Sequence, residues 1–233
     1  MRNDFTRRML FAALLSNVLL VGSAGAALGQ SPPARSTQSL PSGRQLLTAT
    51  QAAMQAKGGY HLQGSIVVQL TAGVQENIVM RADVSSRTNQ AHVTLSASIP
   101  SGTQQVEEVL VGRRLAIRNG NGAWQCRPLR SILQLTQSLV GTPEVAQART
   151  LGTGTVNGTP VWRVRATVPL NLLGQPQRVH ETFFISRVDH TLLQVTSNPV
   201  LNLNGIVAHE RLLFVYSQYG ESVHLALPPA CRK

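Results

Sequence analysis

The chain has 233 residues, 42% of them hydrophobic and only 13% charged, with 21 Lys and Arg against 10 Asp and Glu for a net charge of +11. Two Trp, three Tyr and five Phe, with no basic run interleaved among them, speak against a nucleic-acid surface; two cysteines without CxxC spacing speak against a metal centre. The positive field draws the chain toward anionic membranes or acidic ligands, but the basic residues are spread along strands and read as a solvated face, with at most transient contact with an anionic membrane surface.

Arg2, Arg7 and Arg8 precede the apolar run MLFAALLSNVLLVG, and Ala24-Gly25-Ala26 supplies the small-x-small pattern of a signal-peptidase site. Residues 1–26 therefore read as a secretory signal peptide. The run is shorter than the roughly 20 apolar residues that span a bilayer, and no cysteine precedes Cys126, so there is no lipobox. The expectation is a soluble exported protein, periplasmic or extracellular. Removing residues 1–26 takes away three arginines and Asp4, which lowers +11 to +9. The stretch QSPPARSTQSLPS makes residues 27–41 a flexible leader, and residues 42–233 are long enough for one β-rich domain.

Ser42 caps a predicted helix that runs to about Lys57, with Leu46, Leu47, Thr50, Ala53 and Met54 on one face and Gly58-Gly59 ending it. The period then changes to two. Tyr60, Leu62, Ile66, Val68 and Leu70 point one way, as do Val74, Ile78, Met80, Ala82 and Val84 in the next run and Ala91, Val93, Leu95, Ala97 and Ile99 in a third. QVEEVLVG and RRLAIR add two strands joined at Gly112, and Asn119-Gly120-Asn121-Gly122 turns the chain. AWQCR leads into Pro128, a first-turn residue for a second helix to about Val140, carrying Leu129, Ile132, Leu133, Thr136, Leu139 and Val140 on one side.

After a loop through Pro143, TLGTGTV and VWRVRATV form a hairpin at Asn157-Gly158, residues that readily take the positive φ angles of a tight turn. Trp162, Val164, Ala166 and Val168 face inward. A loop, PLNLLGQPQ, is expected before RVHETFFIS, where Val179, Phe183 and Ile185 share a face. Leu193 and Val195 continue the sheet after Asp189-His190; Ile206, Ala208, Leu212, Phe214 and Tyr216 mark a long strand, and Val223, Leu225 and Leu227 a last one. About eleven strands against two or three helices make an α+β domain, a single strongly curved antiparallel sheet in the form of a half-barrel. Such a sheet has more apolar surface than short helices cover, and the gap between them becomes a cavity for an acyl chain.

Cys126 and Cys231 are an even pair in an exported chain, so a disulfide is their natural use, two buried thiols being the alternative. Closing a loop of that length is worth on the order of 4 kcal/mol in the chain-entropy model.

No G-x-S-x-G, H-E-x-x-H or G-x-x-x-x-G-K-[ST] motif occurs. Gly152-Thr153-Gly154 precedes a strand rather than the helix a phosphate loop needs. His180-Glu181 and His209-Glu210 are neighbours on strands and face opposite sides; His180 and His209 meet across the polar face only if their strands pair. Asn157-Gly158-Thr159 fits a glycosylation sequon, though its turn chemistry accounts for it.

The order of export signal, helix, long meander, GAWQC strand, central helix and TVNGTPVWRV hairpin, followed by the turn after Ile185-Ser186-Arg187 and the closing YSQYGESVHLALP, resembles the LolA-like and LppX/LprG-like lipoprotein carriers over most of residues 42–230. Ser186 departs from that pattern, which often has an aspartate there. The resemblance implies an eleven-stranded curved sheet capped by helices, binding a lipid or acylated protein in its concavity; the expectation for this chain is a monomer that holds its ligand without a cofactor. The cavity is assigned to Val68, Met80, Val93, Leu95, Leu110, Ile132, Phe183 and Ile185. The same fold serves as a sensing domain in envelope-stress regulators, so an extracytoplasmic adaptor for a protein partner is the alternative, and an unrecognised hydrolase a third.

Overall fold

Ser42 caps the first helix among the described residues. Its hydroxyl accepts a hydrogen bond from the Gln45 backbone N–H (3.2 Å), and the Gln45 side chain accepts one from the Ser42 N–H (3.3 Å), a reciprocal cap that satisfies amides the first helical turn leaves free. The computed structural model describes residues 40–70, 73, 75–99, 102–128, 147–172, 175–203 and 206–232. The expected signal peptide, most of the leader and the expected second helix after Pro128, including Ile132, lie outside them. Helix α1 spans Gly43–Lys57 and buries Leu46, Thr50 and Met54. It ends where Gly58 takes a left-handed φ of 80° and donates its N–H to the Met54 carbonyl, a conformation that favours glycine.

The strands are β1 (Gly59–Leu70), β2 (Gln75–Ser85), β3 (Gln90–Ile99), β4 (Gly102–Val111), β5 (Arg114–Asn119), β6 (Gln125–Pro128), β7 (Arg149–Val156), β8 (Thr159–Leu172), β9 (Gln175–Ser186), β10 (Leu192–Ser197), β11 (Val200–Leu203) and β12 (Ile206–Ser217). They form one antiparallel sheet in the order β6-β5-β4-β3-β2-β1-β12-β10-β9-β8-β7, with β11 also on β12. β10 and β11 are one strand position. Ser197 lies opposite Leu212 and Val200 opposite His209 in an unbroken register, and the Glu210 N–H reaches the Pro199 carbonyl between them. Pro199 lacks the N–H that would complete the ladder. Twelve strands thus fill eleven positions of an open, curved half-barrel, as the sequence predicts; one α-helix, rather than two or three, lies among the described residues.

Three local expectations need correction. Pro128 closes β6 opposite Arg114 instead of opening a helix, a position an edge strand tolerates because the missing N–H deprives no neighbour. The expected loop 169–177 is largely strand: Pro169 pairs with Arg178 and Asn171 with Pro176. β7 reaches only to Arg165 of β8, and β10 only to Glu181 of β9. The hairpin overhangs both neighbours, so its prolines break no second ladder. The expected last strand, residues 223–227, joins no ladder among the described residues: the chain after β12 runs as a strap along one end of the sheet. Gly220 N–H donates to Gly59 O and Leu225 N–H to the Gln90 side chain (2.9 Å). A 3-10 turn at Pro229–Cys231 follows, and Cys231 is bonded to Cys126 of β6, with Cα atoms 5.4 Å apart.

Candidate inner-face ligand site

α1 divides the sheet into an inner face, which it covers in part, and an outer one. Its first residue abuts β7 at Arg149 and its C-cap leads into β1. β7 and β1 are five strand steps apart, about 24 Å, and fifteen residues of helix reach about 22 Å. The helix therefore lies across the β1-to-β7 half of the sheet, packing chiefly on β8, β1 and β7. Lys57 at its end pairs with Asp189 (3.3 Å). Burial works to raise the Asp189 pKa, but bonds from Ser186, Thr191 and Lys57 outweigh it and hold the carboxyl down to about 2.

Inner-face side chains from β1 to β5 and β8 to β12 form one continuous apolar cluster with Leu46 and Met54 of α1. Val68, Met80, Val93, Leu95, Leu110, Phe183 and Ile185, seven of the eight residues assigned to the cavity, are buried in that cluster; the eighth, Ile132, lies outside the described residues. Register explains one tight spot. Gly64 sits between Phe214 and Met80, and a Cβ there would fall 2.3 Å from the Phe214 ring, so the glycine makes room for that ring. At the strap end, Tyr60 packs against Tyr216 (5.8 Å) and Tyr219 (6.1 Å), and the Tyr219 hydroxyl donates to the Leu192 carbonyl.

The inner face is not uniformly apolar, which sequence reasoning missed. Glu76 and Glu210 lie opposite Val68 on either side. Glu181 lies between Ala166 and Ser197, and Glu108 between Val93 and Ile117. Glu76 and Glu210 are buried, Glu210 with 7% exposed. Burial pushes Glu108, Glu181 and Glu210 up to about 7, and for Glu181 the nearby Glu210 charge adds to it. The signal was available: each glutamate shares the parity of the apolar residues two positions away.

The outer face has the opposite character. Arg81, Arg163, Arg165 and Arg211 alternate onto it and are exposed. Glu107 bonds His92 (3.0 Å) and Arg118 there, and the Arg118 guanidinium lies 4.7 Å over Trp124. Burial opposes ionisation of Glu107, but Arg118 and His92 keep its pKa below the usual carboxylate range. Val109 and Ala116 pack with Cys231, Trp124 and Leu227, so the strap's end folds onto this side. A hollow of about 260 Å³ beside the disulfide, between Arg114, Leu115, Arg127 and Pro128, falls below the ~300–1,000 Å³ usual for a ligand pocket. β10 and β11 separate the strands of His180 and His209, so these do not pair; His180 instead bonds Thr167 (3.3 Å). Among the described residues no helix is long and apolar enough to cross a membrane, and no three His, Cys, Asp or Glu side chains are grouped to hold a metal.

No protein-family model matches the sequence, and no curated protein matches it. Solved structures similar to this chain include LprF from Mycobacterium bovis, at 15% identity over 80% of this chain and 96% of that one with a TM-score of 0.48. A LolA superfamily protein from Nitrosomonas europaea matches at 8% identity over 79% and 96%, with a TM-score of 0.32. MucB in complex with MucA(peri) matches at 16% identity over 75% of this chain and 56% of that one, with a TM-score of 0.36. Likenesses of this degree leave what this chain binds to be read from its own residues.

Proposed function

We propose that the protein is an exported, non-enzymatic carrier or binding protein that holds an apolar ligand, a lipid or the acyl chain of a lipoprotein, between the inner face of the sheet and its covering elements. One observation carries this reading: a single apolar cluster runs across the inner face from β1 to β5 and from β8 to β12, while α1 packs chiefly on β8, β1 and β7. The strands supply length as well as breadth. From Tyr216 to Glu210 the inner face of β12 extends about 20 Å, enough for a long hydrocarbon tail laid along the strands. Val93 and Leu95, beyond the strands on which α1 chiefly packs, are the residues whose enlargement blocks such a tail. Titration with the neutral fluorescent probe N-phenyl-1-naphthylamine tests this. Val93→Trp and Leu95→Trp abolish uptake while the far-ultraviolet spectrum stays unchanged; unaltered uptake in both removes β3 from the site. An empty protein that instead captures a polypeptide supports the adaptor reading.

A further inference from the structure

Among the described residues, the charged side chains that the strands β1 to β5 and β8 to β12 place on the inner face are all acidic. The strands β1 to β5 and β8 to β12 alternate so that none of their arginines shares a face with the apolar cluster, although the chain as a whole is at +11. Glutamates occupy that face instead, and two of them, Glu181 and Glu210, lie toward the end remote from the tyrosines. Glu210 has 7% of its surface exposed, and its side chain has no hydrogen bond or ion pair with any described residue. Glu181, one strand position beyond β10, is close enough to feel its charge. Around them stand Val68, Ala166, Ser197 and Leu212. The Ser197 hydroxyl is already used, donating to the His180 carbonyl (2.8 Å). A buried carboxyl without a partner costs free energy, and Glu210, with the half-buried Glu181 beyond it, sits where a ligand head would end if its tail ran toward the tyrosines.

We propose that Glu181 and Glu210 form the head-group end of the ligand site and select an amphiphile whose head is a hydrogen-bond-donating cation, such as a primary amine, over one whose head is an anion. The inference rests on the carrier reading above. A cationic head offers each carboxylate a charge-assisted bond, whereas an anionic head adds a like charge in a desolvated place. The basic exterior does not serve this recognition, because it lies across the sheet.

The test is calorimetric titration of the full mature chain with n-dodecylammonium, dodecan-1-ol and dodecanoate at pH 8, where both carboxyls are largely ionised. We expect dodecylammonium to bind about tenfold more tightly than dodecanol and dodecanoate to bind least. Glu210→Gln and Glu181→Gln, close in size to the native residue, are expected to erase the preference for the amine over dodecanol. Dodecanoate binding as tightly as dodecylammonium, or a preference that survives both substitutions, overturns the head-group assignment and leaves the carrier reading standing. Failure of all three ligands to bind overturns both.

Discussion

Replacing Glu210 with glutamine is predicted to stabilise the protein at alkaline pH and to leave it almost unchanged in acid. In the folded chain burial raises the Glu210 pKa from 4.5 to about 7. Below pH 4.5 the carboxyl is protonated in both folded and unfolded states and contributes no penalty. As pH rises from 4.5 to 7 the unfolded chain releases the proton first, so stability falls; above 7 the full penalty is present. At about 1.36 kcal/mol per pKa unit, the shift corresponds to about 3 kcal/mol. Glutamine imitates the neutral acid in size and carries no charge at any pH, so it removes that penalty. For a domain of this length, about 3 kcal/mol is a rise in Tm of roughly 6–12 °C. Thermal unfolding of both proteins at half-unit steps from pH 4 to 8.5 measures the difference directly. A Tm difference that does not change with pH would refute the claim that Glu210 is buried among apolar side chains on the inner face.

Other substitutions test the remaining parts of the structure. Gly64→Ala places a Cβ 2.3 Å from the Phe214 ring, so urea unfolding is expected to show a loss of about 1–3 kcal/mol; a change under half a kcal/mol would mean the ring is not where register puts it. The disulfide closes a separation of 105 residues, and Cys126→Ser with Cys231→Ser is expected to cost up to about 4 kcal/mol. The same double variant frees the strap, so limited proteolysis is expected to cleave within residues 218–228 first; equal resistance in both proteins contradicts a strap held by that bond. Uptake of the neutral probe by Val93→Trp, described above, separates a ligand-filled interior from a dry one.

Much of this architecture was legible in the sequence because it rests on local chemistry. Ser42 with Gln45, and Gly58 at the far end, fix α1 whatever the rest of the chain does. The alternation from Tyr60 to Ile99 fixes which side of the first three strands is buried, and Asn157 and Gly158 at φ 47° and 79° fix the hairpin between β7 and β8. What failed depended on neighbours. Pro169 and Pro176 look like breakers, and only the short reach of β7 and β10 makes them harmless. Val223, Leu225 and Leu227 do alternate in burial with Glu221, Ser222, His224 and Ala226, but the strap lies across strand ends, where no ladder can form. Period two reports an extended chain against a surface; it does not report pairing. The glutamates were overlooked for a different reason. Counting apolar positions on a face passes over the polar residue that shares their parity, and Glu181 and Glu210 were weighed beside His180 and His209 as acid–base couples instead of with Phe183 and Leu212 across the face.

The measurement closest to the central claim is organic extraction and mass spectrometry of the mature protein purified from its native host without detergent. An inner face that holds a hydrocarbon tail predicts close to one acyl- or alkyl-bearing molecule per chain, lost in Leu95→Trp. Protein that yields no such molecule, from a preparation whose disulfide is intact and whose unfolding is cooperative, would contradict it.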